Sequence, residues 1–402
     1  MRVLLSTLGT RGDVQPLVAL AEQLKGLGTE VRLCVPPDFR DWIEGRGIPV
    51  VPIGPPLRSG RQGGTSAAVP TPEQRRWRLE RTLAVQFEAL AGAARGCDLV
   101  VGSAALKISA PSVAEAMGIP YVFVAYSPSG LPSPHHPPPA AQGMAGADRP
   151  CATADHSAAW AEHAREWNDT WAALLHVHRA ALGLDPVTDV LRHVLTARPW
   201  LAADPALAPH PAVFQPGAWL LPDERPLSPE LESFLDAGDP PVYFGFGSSR
   251  APEAVDRVMV ESARALGRRA IVSRGWAGLS PADGAPDCLA VGDVNHPALF
   301  ARVAAVVHHG GAGTTTAAAR AGAPQVLVPQ GFDQHDWARR VHDLGIGIAH
   351  APGEPTLASL TDALERALHP GVAARARSIA PSVRGDGARV AAERLVALAG
   401  KS

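Results

Sequence analysis

The stretch VVHHGGAGTTTAAARAGAPQVLVPQGFDQ, Val306 to Gln334, gathers groups that can hold a polyanion and a polyol. The apolar run AAVVHH reads as a strand and leads straight into Gly310 and Gly311, after which AGTTTAAARAG starts a helix. Glycines let a ligand approach the backbone closely, here at Gly310 and Gly311, and the positive end of a helix with its free N–H groups favours phosphate. Thr314 and Thr315 add hydroxyls in the first turn, and His309 can donate a hydrogen bond to a phosphate oxygen. The turn lacks the lysine of a P-loop. A glycine-rich helix cap with no ligand is the plainer alternative for the glycines alone. The adjacent histidines and the two threonines point instead to a diphosphate.

A second apolar run, QVLVPQ, is followed by Asp333 and Gln334. Open α/β sheets place their ligands at the carboxyl ends of strands. A carboxylate beside an amide accepts from and donates to neighbouring hydroxyls. Asp333 also suits the N-cap of a helix over QHDWARRVHDLG, and a cap can touch a ligand as well. Diphosphate donors next to a hydroxyl-binding pair describe a nucleotide sugar.

The elements that must position these groups alternate along the chain. RVLLST, EVRLCV, GIPVVPIG, CDLVVGS and PYVFVAY read as strands in the first half. PPVYFGFGS, RAIVSRGW, CLAVGDV, AAVVHH and QVLVPQ do so in the second. Pro16 fits the first position of a helix, where its missing N–H costs nothing, with Leu17, Leu20, Ala21, Leu24 and Leu27 following at helical spacing. Alternating apolar strands and helices predict an α/β chain of two Rossmann-like, doubly wound parallel-sheet domains facing a cleft. The expected boundaries are an N-terminal domain over 1–205, a linker over 206–225, a C-terminal domain over 226–385, and a helix over 386–402 that can return to the N-terminal domain. Two stretches interrupt the pattern: polar, glycine-rich Leu57–Glu73 and proline-rich Ser127–Pro150. Long loops of this kind usually serve binding or lack fixed structure.

The whole chain sets limits on this reading. Its 402 residues suit two domains, and 46% hydrophobic with 19% charged residues suits sizeable cores. The net charge of -2, from 37 basic and 39 acidic residues, gives no polyanion-binding surface, so nucleic acid is not an expected partner. Cys34, Cys97, Cys151 and Cys288 are far apart and form no CxxC pair, which fits reduced thiols in a cytoplasmic protein. MRVLLSTLG is too short an apolar run for a signal peptide, and no stretch reaches the roughly 18 residues of a membrane span. A monomer is expected.

HHGGAGTT followed by DQ resembles the donor-binding motif of the GT-B glycosyltransferases of family one. The resemblance covers nearly the whole chain. TLGTRGDVQPLVALAEQL is similar to the N-terminal motif of the antibiotic and sterol enzymes, while SPSGLPSPHHPPP and GAWLLPDERPLSPEL resemble the enzymes that glycosylate vancomycin-type glycopeptides. The resemblance implies a GT-B fold and diphosphate contacts from His309, Gly311, Gly313 and Thr314, with Ser248 nearby. It implies sugar contacts from Asp333 and Gln334, a backbone contact to the base at Val294, and a place beside the nucleotide for Trp276, for which core packing is the alternative.

The same resemblance implies that Asp13, in Asp13-Val14-Gln15-Pro16, is a general base, where macrolide-modifying relatives carry a histidine. Asp13 as a helix cap is the alternative; the RGD tripeptide as an adhesion motif has no receptor to meet inside a cell. Arg11 and Gly12 are expected to close over the diphosphate, with an exposed loop arginine as the plainer reading of Arg11. An inverting transfer of sugar from a UDP- or dTDP-sugar to a glycopeptide aglycone follows, by one displacement through an oxocarbenium-like transition state. No DxD-like cluster lies near the motif, so transfer without metal or other cofactor is expected. The two long loops, with Ser127, Pro134, His135 and His136 as candidate contacts, are expected to set acceptor choice and leave donor choice alone. Polyketide, macrolide or sterol acceptors, a nucleotide-sugar 2-epimerase and a non-catalytic transferase partner are the competing readings.

Overall fold

Short apolar runs at the heart of each half pair only with one another, and always in parallel. The computed structural model describes residues 1–58, 71–104, 107–139, 155–248, 255–276, 278–280 and 283–399. In the first half the elements are β1 Arg2–Thr7, α1 Arg11–Gly26, β2 Glu30–Val35, α2 Arg40–Glu44, β3 Val50–Pro52, α3 Pro72–Ala93, β4 Leu99–Ser103, α4 Ser109–Ala116, β5 Tyr121–Ala125, α5 His156–Ala181, α6 Val190–Leu195 and β6 Trp200–Leu201. The second half holds α7 Pro229–Asp236, β7 Val242–Gly245, α8 Val255–Ala265, β8 Ala270–Ser273, β9 Cys288–Val291, α9 His296–Phe300, β10 Ala305–His308, α10 Ala312–Arg320, β11 Gln325–Leu327, α11 Gln334–Asp343, β12 Gly347–Ala349, α12 Leu357–Ala367, α13 Pro370–Ile379 and α14 Gly387–Ala399.

Two six-stranded sheets result, ordered β3-β2-β1-β4-β5-β6 and β12-β11-β10-β7-β8-β9. Read from its other edge, the second sheet repeats the winding of the first. Each sheet therefore has one place where the strand order reverses, between β1 and β4 and between β7 and β10. The registers Thr7↔Ser103 and His308↔Gly245 end both central pairs level with each other. Ligands bind at such switch points, beyond the carboxyl ends of the strands.

The helix after β1 begins earlier than its proline suggests. It starts at Arg11, so Pro16 lies inside it. The reason is the first turn: the Thr10 N–H donates to Asp13 Oδ2 at 2.8 Å, which fixes the start of the helix ahead of the proline. Val14, Leu17, Val18, Leu20, Ala21 and Leu24 then bury one face of α1.

The two halves are tied along the cleft. Leu327 of β11 and Trp337, Ala338 and Val341 of α11 join one apolar cluster with Leu90, Val113, Phe123, Trp167 and Trp171 of the first half. The last helix, α14, packs on α1 and adds Ala388, Ala391, Ala392 and Leu395 to the N-terminal core. Asp204, wholly buried, holds this return: Oδ2 accepts the Arg384 N–H at 2.8 Å and Oδ1 the Ala206 N–H at 2.9 Å. No helix among the described residues is long and apolar enough to cross a membrane. Of the two interrupting loops, residues 59–70 and 140–150 lie outside the described residues, as does Cys151.

Candidate functional site

The turn after β10 sorts its two histidines by tautomer and burial. His308 is fully buried; its Nδ1 accepts the Gly310 N–H at 3.1 Å, so its Nε2–H donates to Gln325 Oε1 at 3.0 Å. Burial pushes it down to about 3, and it serves as a neutral brace for the turn. His309 projects the other way, its ring near-parallel to that of Phe246 beyond β7. Burial lowers it to about 4, and its Nδ1 has no hydrogen-bond partner among the described residues. A buried ring nitrogen without a partner is costly unless something binds there.

Glycine is required beside it. Gly310 has φ +95°, and a Cβ there would crowd the Gln334 backbone at 3.1 Å. A Cβ on Gly311 would meet His309 Nε2 at 2.7 Å. Gly311 is the N-cap of α10 and offers no side chain, so the first-turn N–H groups have no acceptor within the helix. Gly313 and Thr314 are open on this turn, with nothing within 4 Å of a Cβ on Gly313. Thr315 is not: it is fully buried and donates to the Gly311 carbonyl at 3.0 Å. The expectation that its hydroxyl meets a ligand is corrected, because the helical phase turns it into the core. Ser248 lies in the turn three residues beyond β7, on the other side of the switch point, and is 9% exposed.

Asp333 and Gln334 stand at the start of α11. Asp333 occupies the N-cap position, yet its side chain makes no cap bond; Oδ2 accepts the Trp337 Nε1–H at 3.2 Å instead. Burial first, and the charge of Asp13 second, raise its carboxyl to about 6. Gln334 is buried, and its Oε1 accepts the Gln330 N–H at 2.7 Å. The amide oxygen is thus committed to the loop.

The N-terminal domain supplies the other wall. Asp13 lies in the first turn of α1, beyond β1, and its bond to Thr10 fixes the carboxylate direction. It helps begin the helix, as the cap alternative expects, and its charge also acts on Asp333. Gly9 leaves the space: a Cβ there would overlap the Asp13 carboxylate. Tyr126, just past β5, donates from its hydroxyl to the Asp13 carbonyl at 3.1 Å. Burial, the larger cause, and Asp13 keep this phenol strongly protonated. Gly12, Pro16 and Tyr126 line a narrow cleft with Ala312, Gly313 and Trp337, where the domains meet.

Arg11 is not a free loop residue. Its guanidinium lies over the Trp42 ring at 4.2 Å, donates to Gln15 Oε1 at 2.8 Å, and pairs with Asp293 of the other domain at 3.5 Å. Asp293 immediately precedes half-buried Val294. Trp276 stacks on Phe39 across the interface at 5.9 Å and packs on the N-terminal core. Its ring is thus a domain contact, in line with the packing alternative.

The acceptor candidates divide. Ser127 is buried; its hydroxyl is within 2.9 Å of Ser129 Oγ and donates to Asp336 Oδ2 of α11 at 3.5 Å. It joins the loop to α11 and is corrected as an open contact. Pro134 and His135 are exposed. His136 is half-buried, its Nδ1 near the Pro137 carbonyl at 3.1 Å, and its own carbonyl accepts the Trp160 Nε1–H at 3.0 Å.

A larger surface groove, about 390 Å³, lies at the opposite ends of β1 and β2. Its cations are already engaged, Arg2 by Glu30 and Lys25 by the Arg46 and Gly47 carbonyls, so it lacks the convergent open groups of the cleft. Among the described residues no group of three or more His, Cys, Asp or Glu side chains is arranged to hold a metal ion. Tyr126, Asp293 and Asp336 were not singled out from the sequence. Only Tyr126 carries a usable signal there, its position at the end of PYVFVAY.

Comparison with known proteins agrees with this arrangement. Residues 3–131 match the family model for the glycosyltransferase family 28 N-terminal domain. Residues 279–388 match that for the C-terminal domain of erythromycin biosynthesis protein CIII-like proteins. The chain is 49% identical over 402 residues to vancomycin aglycone glucosyltransferase of Amycolatopsis orientalis, covering 98% of this chain and 97% of that one. With glycosyltransferase GtfE of the same organism it shares 50% over 408 residues, covering 100% and 98%. The dTDP-epi-vancosaminyltransferase of that organism is 42% identical over 396 residues, covering 94% and 93%. The crystal structure of glycosyltransferase VinC in complex with dTDP aligns over 100% of both chains with a TM-score of 0.67 at 22% identity, which shows a shared fold.

Proposed function

This chain belongs to the GT-B glycosyltransferases, in the group of the glycopeptide-antibiotic enzymes, and from that premise we propose that it moves a sugar from a UDP- or dTDP-sugar to a hydroxyl of a glycopeptide aglycone or pseudoaglycone, with inversion. The observation that carries the reading is the turn after β10, where His309 Nδ1 has no partner among the described residues and the uncapped N-terminus of α10 meets Gly12 of α1 in the cleft.

The acceptor hydroxyl attacks the anomeric carbon from the face opposite the diphosphate. As the new C–O bond forms, the bond to the diphosphate oxygen breaks, and the hydroxyl proton passes to Asp13. A phenol has a pKa near 10, so a carboxylate held by Thr10 assists usefully. The diphosphate takes the departing electron pair. His309, the Thr314 hydroxyl and the N-terminus of α10 stabilise that charge where it develops, which supports transfer without a metal ion. Asp333 and Gln334 hold the sugar hydroxyls. Val294 and Ser248 complete the nucleotide side, with Arg11 swinging from Asp293 to the diphosphate. The three described cysteines are free thiols, which supports a reducing, cytoplasmic setting.

The test is Asp13→Asn assayed with a nucleotide-sugar panel and a heptapeptide aglycone. Turnover is expected to fall about 10²-fold or more, the scale of a lost general base, with donor binding kept. Near-normal turnover would remove Asp13 from the mechanism. Donor consumption independent of any acceptor would remove the transfer reading.

A further inference from the structure

The turn between β11 and α11 carries a residue that the mechanism does not use. Phe332 has φ +55°, in the left-handed region, and its side chain is 65% exposed. The turn is clamped on both sides. Gln334 Oε1 accepts the Gln330 N–H at 2.7 Å, and the Gln334 N–H donates to the Gly331 carbonyl at 3.2 Å. Phe332 sits at the tip of this closed loop and cannot relax without opening it. An L side chain rarely takes this backbone, and a bulky aromatic is a poor choice for it. Exposure of the ring to water adds a second cost with no return inside the fold. Single exposed apolar residues are ordinary elsewhere on a surface. Here the residue adjoins Asp333 at the reacting end of the cleft, where strain and exposure together point to a ligand.

The neighbours decide which ligand. Gln334 is turned inward and buried, against the His309–Gly310 turn. Asp333 faces the charge of Asp13. Phe332 is the exposed residue of this turn and adjoins Asp333 in the chain. We propose that Phe332 is a specificity-determining residue for the acceptor: its ring is the platform on which a flat, apolar ring face of the acceptor packs while the hydroxyl approaches Asp13. The inference rests on the transfer reading above and adds a contact to it. Aromatic rings prefer offset or edge-on packing on one another, so an acceptor built of aromatic rings suits such a platform.

Phe332→Ala, Phe332→Gly and Phe332→Trp in the full chain test it, with acceptor KM, donor KM, kcat and melting temperature as readouts. The Ala and Gly variants are expected to raise acceptor KM about tenfold, or about 1.4 kcal/mol, with donor KM within about twofold. The Trp variant should keep acceptor KM near that of the parent. Phe332→Gly should melt no lower than Phe332→Ala, because glycine accepts the left-handed backbone, so loss of acceptor affinity is separated from loss of fold. An unchanged acceptor KM in Phe332→Ala overturns the proposal, and so does a rise in donor KM alone. Transfer by the parent to a macrolide-type acceptor in place of the peptide would overturn the peptide assignment. A raised KM for that acceptor in Phe332→Ala would still support the platform.

Discussion

Asp13 of α1 and Asp333 at the head of α11 come from different domains, and the charge of Asp13 adds to burial in holding the Asp333 carboxyl up at about 6. Two carboxylates that share a site disfavour each other's ionised form. The pair therefore couples the proposed proton-accepting side of the cleft to the proposed sugar-binding side. A bound sugar placed between them would meet one carboxylate at its hydroxyls and the other at the attacking oxygen.

Donor affinity should follow this coupling. Ionised Asp333 is the better acceptor for sugar hydroxyls, so donor binding should weaken as pH falls through about 6. In Asp13→Asn the like charge is gone while burial remains, and the midpoint should move to lower pH. Calorimetric titration of the nucleotide sugar from about pH 5 to about pH 8 reads it directly, within the range where such carboxylates titrate. An unmoved midpoint would mean that the two charges do not communicate.

His309→Ala should weaken nucleoside diphosphate binding by about 10- to 100-fold, the scale of one hydrogen bond to a charged group, roughly 1.5–3 kcal/mol. The bare nucleoside should be unaffected. Because burial keeps His309 neutral down to about 4, any step in diphosphate affinity at about pH 6 should come from the ligand's own terminal phosphate and should persist in His309→Ala. Equal losses for diphosphate and nucleoside would place His309 outside the phosphate site.

Folding stability should fall on the acid side of neutrality. Burial depresses His308 to about 3, His296 to about 4 and His193 to about 4, the last also through Arg179. Each is neutral in the fold but gains a proton in the unfolded chain near pH 6.5. The unfolded state thus binds more protons between about pH 6.5 and about pH 4, and stability drops as pH falls through that window by up to about 1.4 kcal/mol per pH unit for each residue. Raised Asp333 works weakly in the opposite sense. Urea melts at a series of pH values check it, and a flat profile would show that the rings are solvated.

The acceptor loop should not act on the acceptor alone. Ser127 touches Asp336, and Asp336 also binds Arg340 at 2.8 Å on the helix that begins with Gln334. Asp336→Asn should raise the KM of both donor and acceptor by a few-fold, since the hydrogen bonds to a charged group that it weakens each contribute roughly 1.5–3 kcal/mol. A change in acceptor KM with donor KM untouched would restore the clean separation expected from the sequence.

Much of the site is legible in the sequence because its parts are local. HHGGAGTT follows a strand and begins a helix, so the turn, the helix end and the need for glycine come from neighbouring residues alone. The same holds for the order of elements, since a parallel sheet buried on both faces leaves continuous apolar runs. Local pattern does not report side-chain direction. It grouped His308 with His309 and Thr314 with Thr315, although one of each pair is committed to the interior. Pro16 looks like a helix start because the Thr10–Asp13 bond, which moves the start to Arg11, depends on a loop shape that the pattern does not specify.

The sequence by itself determined the two doubly wound sheets, the phosphate-type turn and the carboxylate–amide pair, because strand, glycine turn and helix are set by contacts a few residues apart. Only the tertiary structure decided that Asp13 reaches Asp333 over 320 positions of chain, that Arg11 pairs with Asp293, that Trp276 lies on Phe39, and that Ser127 belongs to the interface with α11. Those relationships depend on how two domains dock and which side of each turn faces the cleft. Packing of distant surfaces fixes both, and no local spacing encodes them.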